Sequence, residues 1–235
     1  MAASLPPAYL RPAREEDIPA IARLSHDTLL VGRKADGVFP SEKLWGELFV
    51  APYIRGGLCN WVAVVGEEVA GYILGAASNA QVFRGLVPSL PGILWRFFLG
   101  AYGPRLPYVR YVLRLLLFPS PRAPHRLYPA HLHMAVDAKV RGRGIGSRLL
   151  QTFLHCLRRH GIRGVQLATT RANAAARRLY RRHGFRLYRR KASPFWAPYL
   201  GRPLIHEAWV LDLTGEGWAY GGGPGDPPAP GDRRG

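Results

Sequence analysis

Apolar residues recur along this chain with two periods, about two and about 3.6 residues, and their order sketches a layered α/β domain. Tyr9 to Ala13 reads as a strand. The acidic turn Arg14-Glu15-Glu16-Asp17 then opens a helix in which Ile18, Ile21, Ala22 and Leu24 share a face. Ser41 opens a second helix with Leu44, Trp45, Leu48 and Phe49 on one side, and Pro52 is expected to end it. Two apolar runs, Cys59 to Val65 and Val69 to Ala76, flank the turn Gly66-Glu67-Glu68 as a hairpin would. Farther on, His131 to Val136 is a strand and Ser147 to His160 a helix. Its stripe runs through Ile145, Leu149, Leu150, Phe153, Leu154 and Leu157, and Gly161 stops it. Val165 to Thr169, a helix over Ala172 to His183 closed by Gly184, and a strand over Glu207 to Leu213 complete the pattern.

The segment 79–129 interrupts this order. It carries eight prolines around two apolar stretches, Ile93 to Tyr102 and Tyr108 to Phe118. Each falls far short of the roughly 20 residues that a bilayer span needs, and arginines break both. Arg110 and Arg114 fall at i,i+4, with Tyr108, Val112 and Leu115 on another side. A helical lid over a binding site is the preferred reading; a homodimer helix and docking on a membrane surface are the others.

Between the strand ending at Val136 and the helix from Ser147 lies Val140-Arg141-Gly142-Arg143-Gly144-Ile145-Gly146. Glycines at 142, 144 and 146 permit a tight bend and clear side chains from the backbone N–H groups, while the following helix aims its free N–H donors at the same point. Turns need glycine too, but this context makes the run a phosphate cradle. Its spacing is neither the dinucleotide fingerprint nor a P-loop.

Charge changes the picture further. Residues 1–78 hold 7 Lys+Arg against 9 Asp+Glu, whereas residues 79–214 hold 24 against 3, a net of +21. One phosphorylated ligand needs only a few cations, so the excess points to an acidic partner, a polyanion contact, or a bias toward arginine in the chain's composition. Cys59 and Cys156 sit at no metal-ligand spacing, no metal site is expected, and a single disulfide is open to them but not required. The first residues show no charged and apolar leader pattern, which points to the cytoplasm.

Arg141, Gly144 and Gly146 fit the pattern Arg/Gln-x-x-Gly-x-Gly/Ala, and about thirty residues later comes Asn173-Ala174-Ala175-Ala176-Arg177-Arg178-Leu179-Tyr180-Arg181-Arg182-His183-Gly184-Phe185. Together these motifs resemble the core of the GNAT superfamily, the acetyl-CoA-dependent N-acetyltransferases. The resemblance implies an α/β fold with one mixed, mostly antiparallel sheet flanked by helices on both faces, and acetyl-CoA wedged where two adjacent parallel strands splay. It also implies that Met134, Ala135 and Val136 offer backbone contacts to the cofactor arm and the thioester oxygen, and that Arg141, Gly142, Arg143, Gly144, Ile145, Gly146 and Ser147 wrap the pyrophosphate. Asn173, Arg177 and Tyr180 share one helical stripe by their i, i+4, i+7 spacing. By resemblance Asn173 bonds the cofactor and Tyr180 is the acid that protonates the leaving thiolate. Arg177 would contact phosphate or lower the Tyr180 pKa.

A general base is harder to name. Relatives carry a glutamate where this chain has Ala130, or in the next strand where it has Ala168. His131 and His133 lie two apart on one face of a strand and titrate in the right range. The stretch Tyr128-Pro129-Ala130-His131-Leu132-His133 is similar to a narrower group, the acetyltransferase-like domain of O-GlcNAcases and its stand-alone bacterial relatives, which carry an aspartate where this chain has Ala135.

The expected organisation is a flexible start at 1–8, the acetyltransferase domain at 9–213 with its insertion at 79–129, and a disordered Gly/Pro tail at 214–235. The expected function is acetyl transfer from acetyl-CoA to an amine acceptor by direct attack. The competing readings are a catalytically weak acetyl-CoA-binding module and, last, a nucleic-acid binder using the basic half.

Overall fold

The computed structural model describes residues 6–29 and 37–214. Among them, seven strands form one sheet in the order β1-β2-β3-β4-β5-β7-β6: β1 Ala8–Pro12, β2 Trp61–Val65, β3 Glu68–Ala76, β4 Ala130–Val136, β5 Gly164–Thr170, β6 Arg186–Ser193 and β7 Leu204–Asp212. Every pairing is antiparallel except β4 with β5. That parallel pair joins only at Ala130–Val165 and His131–Gln166, after which the strands part.

Alternation along the strands sends side chains to two cores. Val62, Val64, Tyr72 and Leu74 face α1 (Ile18–Thr28), α2 (Glu42–Trp45), α3 (Ala51–Gly56) and the inner sides of α5 (Leu90–Phe98) and α6 (Leu106–Leu117). Ala63, Ile73, Leu132, Val165 and Trp209 face α7 (Ile145–Arg159) and α8 (Ala174–Arg182). The mixed sheet flanked on both faces by helices is the architecture that the sequence implied.

The stripe expected on α7 is buried in full: Ile145, Leu149, Leu150, Phe153, Leu154 and Leu157 are each at most 2% exposed. Each such side chain stabilises the fold by about 1.5–3 kcal/mol relative to exposure. The helix sits low on the sheet because β3 has no side chain beneath it at Gly75. A Cβ there would lie 2.1 Å from the Phe153 ring.

Several boundaries differ from the sequence reading. Pro52 does not end the second helix; Gly46–Val50 takes π spacing, and Pro52 then falls in the first turn of α3, where its missing N–H leaves no gap. A helix absent from the sequence reading, α4 (Asn79–Leu86), follows the Ser78 cap. A strand is absent from the sequence reading too: β6 is mostly exposed and rich in arginine, so no apolar alternation marks it. A short helix, α9 (Ala197–Leu200), precedes β7. At the chain start, Ala8 already pairs with Val65 in β1, whereas residues 1–5 lie outside the described residues, as does the expected tail from 215 on.

The insertion is anchored through its inner faces. Tyr108 and Tyr111 of α6 pack edge-on against Phe39, and Tyr111 also meets Phe195. Arg96 of α5 reaches Glu47 at 3.0 Å, and Arg114 of α6 donates to the carbonyls of Phe195 and Pro194. The return of the chain to β4 is fastened by the buried Gln166 amide, which accepts from Ala123 N and donates to the carbonyls of Ala123 and Tyr128. A disulfide joins Cys59, just before β2, to Cys156 on α7.

The contact at Gly75 generates a test. Gly75→Ala should cost about 1–3 kcal/mol by overpacking and Phe153→Ala about 3–5 kcal/mol by leaving a cavity. Because the two share one space, the double variant should lose clearly less than their sum in urea denaturation. Simple additivity would show that the ring does not rest on Gly75.

Candidate active site

Where β4 and β5 part, the sheet opens into a cavity of about 540 Å³. Leu132, His133 and Met134 line it from one strand and Leu167 to Thr170 from the other, with Tyr180 and Asn173 of the α8 region at one side. From Leu132 onward β4 has β3 on one edge and no strand on the other. That edge leaves backbone donors and acceptors for an extended ligand, in the way a missing strand would be replaced.

The glycine run lies at the end of this strand and turns into α7. Gly142 and Gly144 both adopt the left-handed region, φ +81° and +75°, and Gly144 is the residue that caps the helix. A Cβ on Gly144 would meet no atom within 4 Å, so its glycine answers to backbone conformation and not to space. The first turn of α7 holds no acidic residue, and its N–H groups are the free donors of a helix start. Arg141 Nε donates to Val136 O at 3.1 Å, which ties the loop to the end of β4, while Arg143 donates to Pro6 O. The sequence-predicted loop residues 141–147 therefore come together at one helix N-terminus, next to Met134, Ala135 and Val136.

Tyr180 is 6% exposed, and burial pushes its hydroxyl above the ordinary phenol range. It thus keeps its proton at neutral pH. Tyr72, pushed up to about 12 by burial, adds to this. Asn173 caps α8, its Oδ1 accepting from Ala176 N at 3.1 Å, which leaves its amide NH2 as the unspent polar group. Arg177 does not join these two at the cavity. Its Nε lies 3.0 Å from the carboxylate of Glu207 in an ion pair, and Glu207, a residue with no exposure, accepts hydrogen bonds from Arg190 and from Trp209 Nε1. The shared helical stripe was legible in the sequence; the buried counter-charge that draws Arg177 away from it was not.

His131 and His133 stand side by side with ring centres 6.4 Å apart, and Tyr53 meets both edge-on. The Tyr53 hydroxyl, kept protonated by burial, lies 3.0 Å from His131 Nε2, a hydrogen bond whose direction the ring tautomer sets. The other ring nitrogen, Nδ1, is buried without a partner. Burial, with smaller contributions from His133, Arg122 and His125, pushes His131 down to about 4. His133 is lowered in the same direction by the protein around it and by Arg122, although its ring opens into the cleft.

Sequence reasoning missed Tyr53 and His206. Tyr53 was hidden by the expectation that Pro52 stops its helix. His206 Nδ1 lies 3.2 Å from Ser120 Oγ, its Nε2 is buried and unpartnered, and burial lowers its pKa. Among the described residues that line the cavity there is no aspartate or glutamate. Away from the cavity, Cys59, Cys156 and His160 place their ligating atoms within 4.8 Å of one another. With the sulfurs joined in a disulfide, they are not thiolate donors.

Residues 116–187 match the family model described as acetyltransferase (GNAT) domain. The match takes in β4, the glycine loop, α7, β5 and α8. The chain is similar in fold to the solved structure of SsHAT, with 23% identity, coverage of 89% of this chain and 100% of that one, and a TM-score of 0.59. It is similar to yncA from Salmonella typhimurium, solved with its cofactor acetyl-CoA, at 16% identity, 90% and 96% coverage and a TM-score of 0.56. The ribosomal-protein-S18-alanine N-acetyltransferase from Escherichia coli gives 16% identity, 91% and 100% coverage and 0.54. At such identities the likeness is one of fold. No curated protein matches the chain.

The buried histidines carry a pH prediction. A histidine whose folded pKa is depressed binds its proton more readily in the unfolded chain, so stability falls as pH drops from 6.5 toward about 4. His133 and His206 act with the same sign. The urea midpoint should decline across that window, and His131→Gln should flatten part of the decline. An identical slope in the variant would mean that His131 is not held neutral by its surroundings.

Proposed function

We propose that the chain transfers an acetyl group from acetyl-CoA to an amine acceptor by direct attack. The observation that carries this reading is the open β4–β5 fork, flanked by a left-handed glycine loop at the head of α7 and by Tyr180. Backbone N–H groups from Arg141 to Ser147 would hold the pyrophosphate, and the free edge of β4 at Met134 to Val136 the pantetheine arm. Asn173 would offer its amide to the same ligand.

In the proposed step the amine nitrogen attacks the thioester carbonyl carbon, the carbon–sulfur bond breaks, and the amide forms. The departing thiolate takes the proton of the Tyr180 hydroxyl, and a β4 backbone N–H supports the oxyanion. The surplus proton of the amine goes to His133, which opens to the cleft. His131 is the poorer acceptor, because a ring with a pKa of about 4 holds a proton weakly. Hydrogen bonding to Tyr53 makes it a positioning residue beside His133.

Tyr111, Leu115 and Phe118 wall the cavity, which supports reading 79–129 as its lid. The narrower likeness to the O-GlcNAcase-associated domain rests on Tyr128 to His133 and suggests no acceptor by itself. A cytoplasmic location agrees with the supply of acetyl-CoA. The Cys59–Cys156 disulfide, a bond that a reducing compartment opens, is the observation that pulls the other way.

An acetyl-CoA consumption screen over amines and peptides, run beside calorimetric titration of acetyl-CoA, tests the proposal. Binding without consumption would favour the second reading, a module that binds acetyl-CoA, which the lack of a carboxylate among the described lining residues suggests. Tyr180→Phe should leave acetyl-CoA affinity nearly unchanged and lower turnover by roughly 10²- to 10⁴-fold. Retained turnover sinks the assignment of Tyr180 as acid. Gly144→Val should weaken acetyl-CoA binding roughly tenfold or more, since a side chain in the left-handed region costs about 1–2 kcal/mol. An unaltered affinity in the folded variant would remove the loop from the cofactor site.

A further inference from the structure

The outward faces of α5 and α6 are apolar throughout, although both helices lie on the surface. On α5, Leu94, Trp95 and Phe98 occupy one side, with Leu99 just past its end, and all are more than half exposed. On α6, Leu106, Val109, Leu113, Leu116 and Leu117 recur at i+3 and i+4 steps and are 48% to 73% exposed. The two faces adjoin. Phe97 packs on Tyr108, and Arg105 donates to the carbonyl of Phe98 at 2.5 Å, so the end of α5 is fixed to the start of α6. This is not an opened core: the other side of each helix is buried, through Ile93, Tyr108 and Tyr111. Both faces of each helix are therefore specified, one against the protein and one against something else. Contiguous apolar surface on this scale marks an interaction site.

Charge identifies the partner. Between Val69 and Val136 the chain has seven arginines and no aspartate or glutamate. Arg110 stands exposed at the edge of the α6 face, and Arg84 and Arg126 are exposed on the same insertion. A second copy docking here would set arginines against arginines with no carboxylate from this segment to separate them. An anionic lipid surface offers the opposite charge over the whole patch and an apolar layer beneath it. Trp95 and Phe98 are of the residue kind that settles at that boundary.

We propose that α5 and α6 form a docking surface for anionic membranes, with the two helices lying in the plane of the headgroups. No helix among the described residues is long and apolar enough to cross a membrane, so the attachment is peripheral. Leu116 and Phe98 enter the acyl boundary, and the arginines remain among the phosphates. Apolar burial and charge then act together, each alone giving weak attachment.

Flotation of the full chain with vesicles tests this, with neither acetyl-CoA nor acceptor present, so that its failure leaves the acetyl-transfer reading untouched. Vesicles of phosphatidylcholine mixed with phosphatidylglycerol should retain the protein at low salt, and phosphatidylcholine alone should retain far less. Leu116→Glu and, on the other helix, Phe98→Glu should each weaken attachment roughly tenfold or more. Both positions are exposed, so folding and any acetyl transfer in solution should be unaffected. Absence of binding to the anionic vesicles overturns the proposal. So does binding that either glutamate variant leaves unchanged, since charge alone would then account for it. A dimer in sedimentation velocity that Leu116→Glu splits would assign the face to a second copy and overturn it equally.

Discussion

The structure depends on a parallel strand pair that is closed at one end and kept open at the other. Only Ala130–Val165 and His131–Gln166 are joined. The closed end is secured by a side chain: the Gln166 amide, 5% exposed, spends its oxygen and its nitrogen on the backbone of Ala123 and Tyr128. A buried amide satisfied in this way is costly to disturb, because removing it would strand three backbone groups away from water. It also fixes where the insertion must return to the sheet. The fork, the cavity between the strands and the wall that α6 gives it thus follow from the same few hydrogen bonds.

Arginine plays a different part from the one that its abundance suggested. Several guanidinium groups act as fasteners of carbonyl oxygen: Arg114 at Phe195, Arg148 at Ala8, Arg143 at Pro6 and Arg105 at Phe98. Two more, Arg177 and Arg190, surround the buried Glu207 and so bind α8 and β6 to β7. A planar group with five donors suits such work better than an ammonium does. Part of the positive balance of residues 79–214 is therefore structural. The rest stands exposed, some on the insertion and more along α8 and β6.

The parts of the fold that showed in the sequence are those in which one face is apolar and the other is not. The α7 stripe, the hairpin of β2 and β3, and the glycine run before α7 all carried their own signatures. Strand β6 did not, because its exposed arginines at 186, 189 and 190 erase the alternation that marks a half-buried strand. The candidate site was legible along single elements: His131 with His133 on one strand, Asn173 with Tyr180 on one helix. What comes from other elements was not. Tyr53 and His206 reach the cavity from a helix thought to have ended and from the last strand, and no local pattern announces either. That Cys59 does pair with Cys156, which the sequence left open, is set by how α7 lies across the sheet.

That cross-link has a topological effect. It closes a loop of sequence separation 97 that contains β2, β3, the whole 79–129 insertion, β4 and the glycine run. Protease cleavage within the insertion would sever the backbone yet leave both pieces covalently attached on either side of the sheet. The oxidised chain can thus be nicked in its most exposed helices and still migrate as one molecule until a reductant is added.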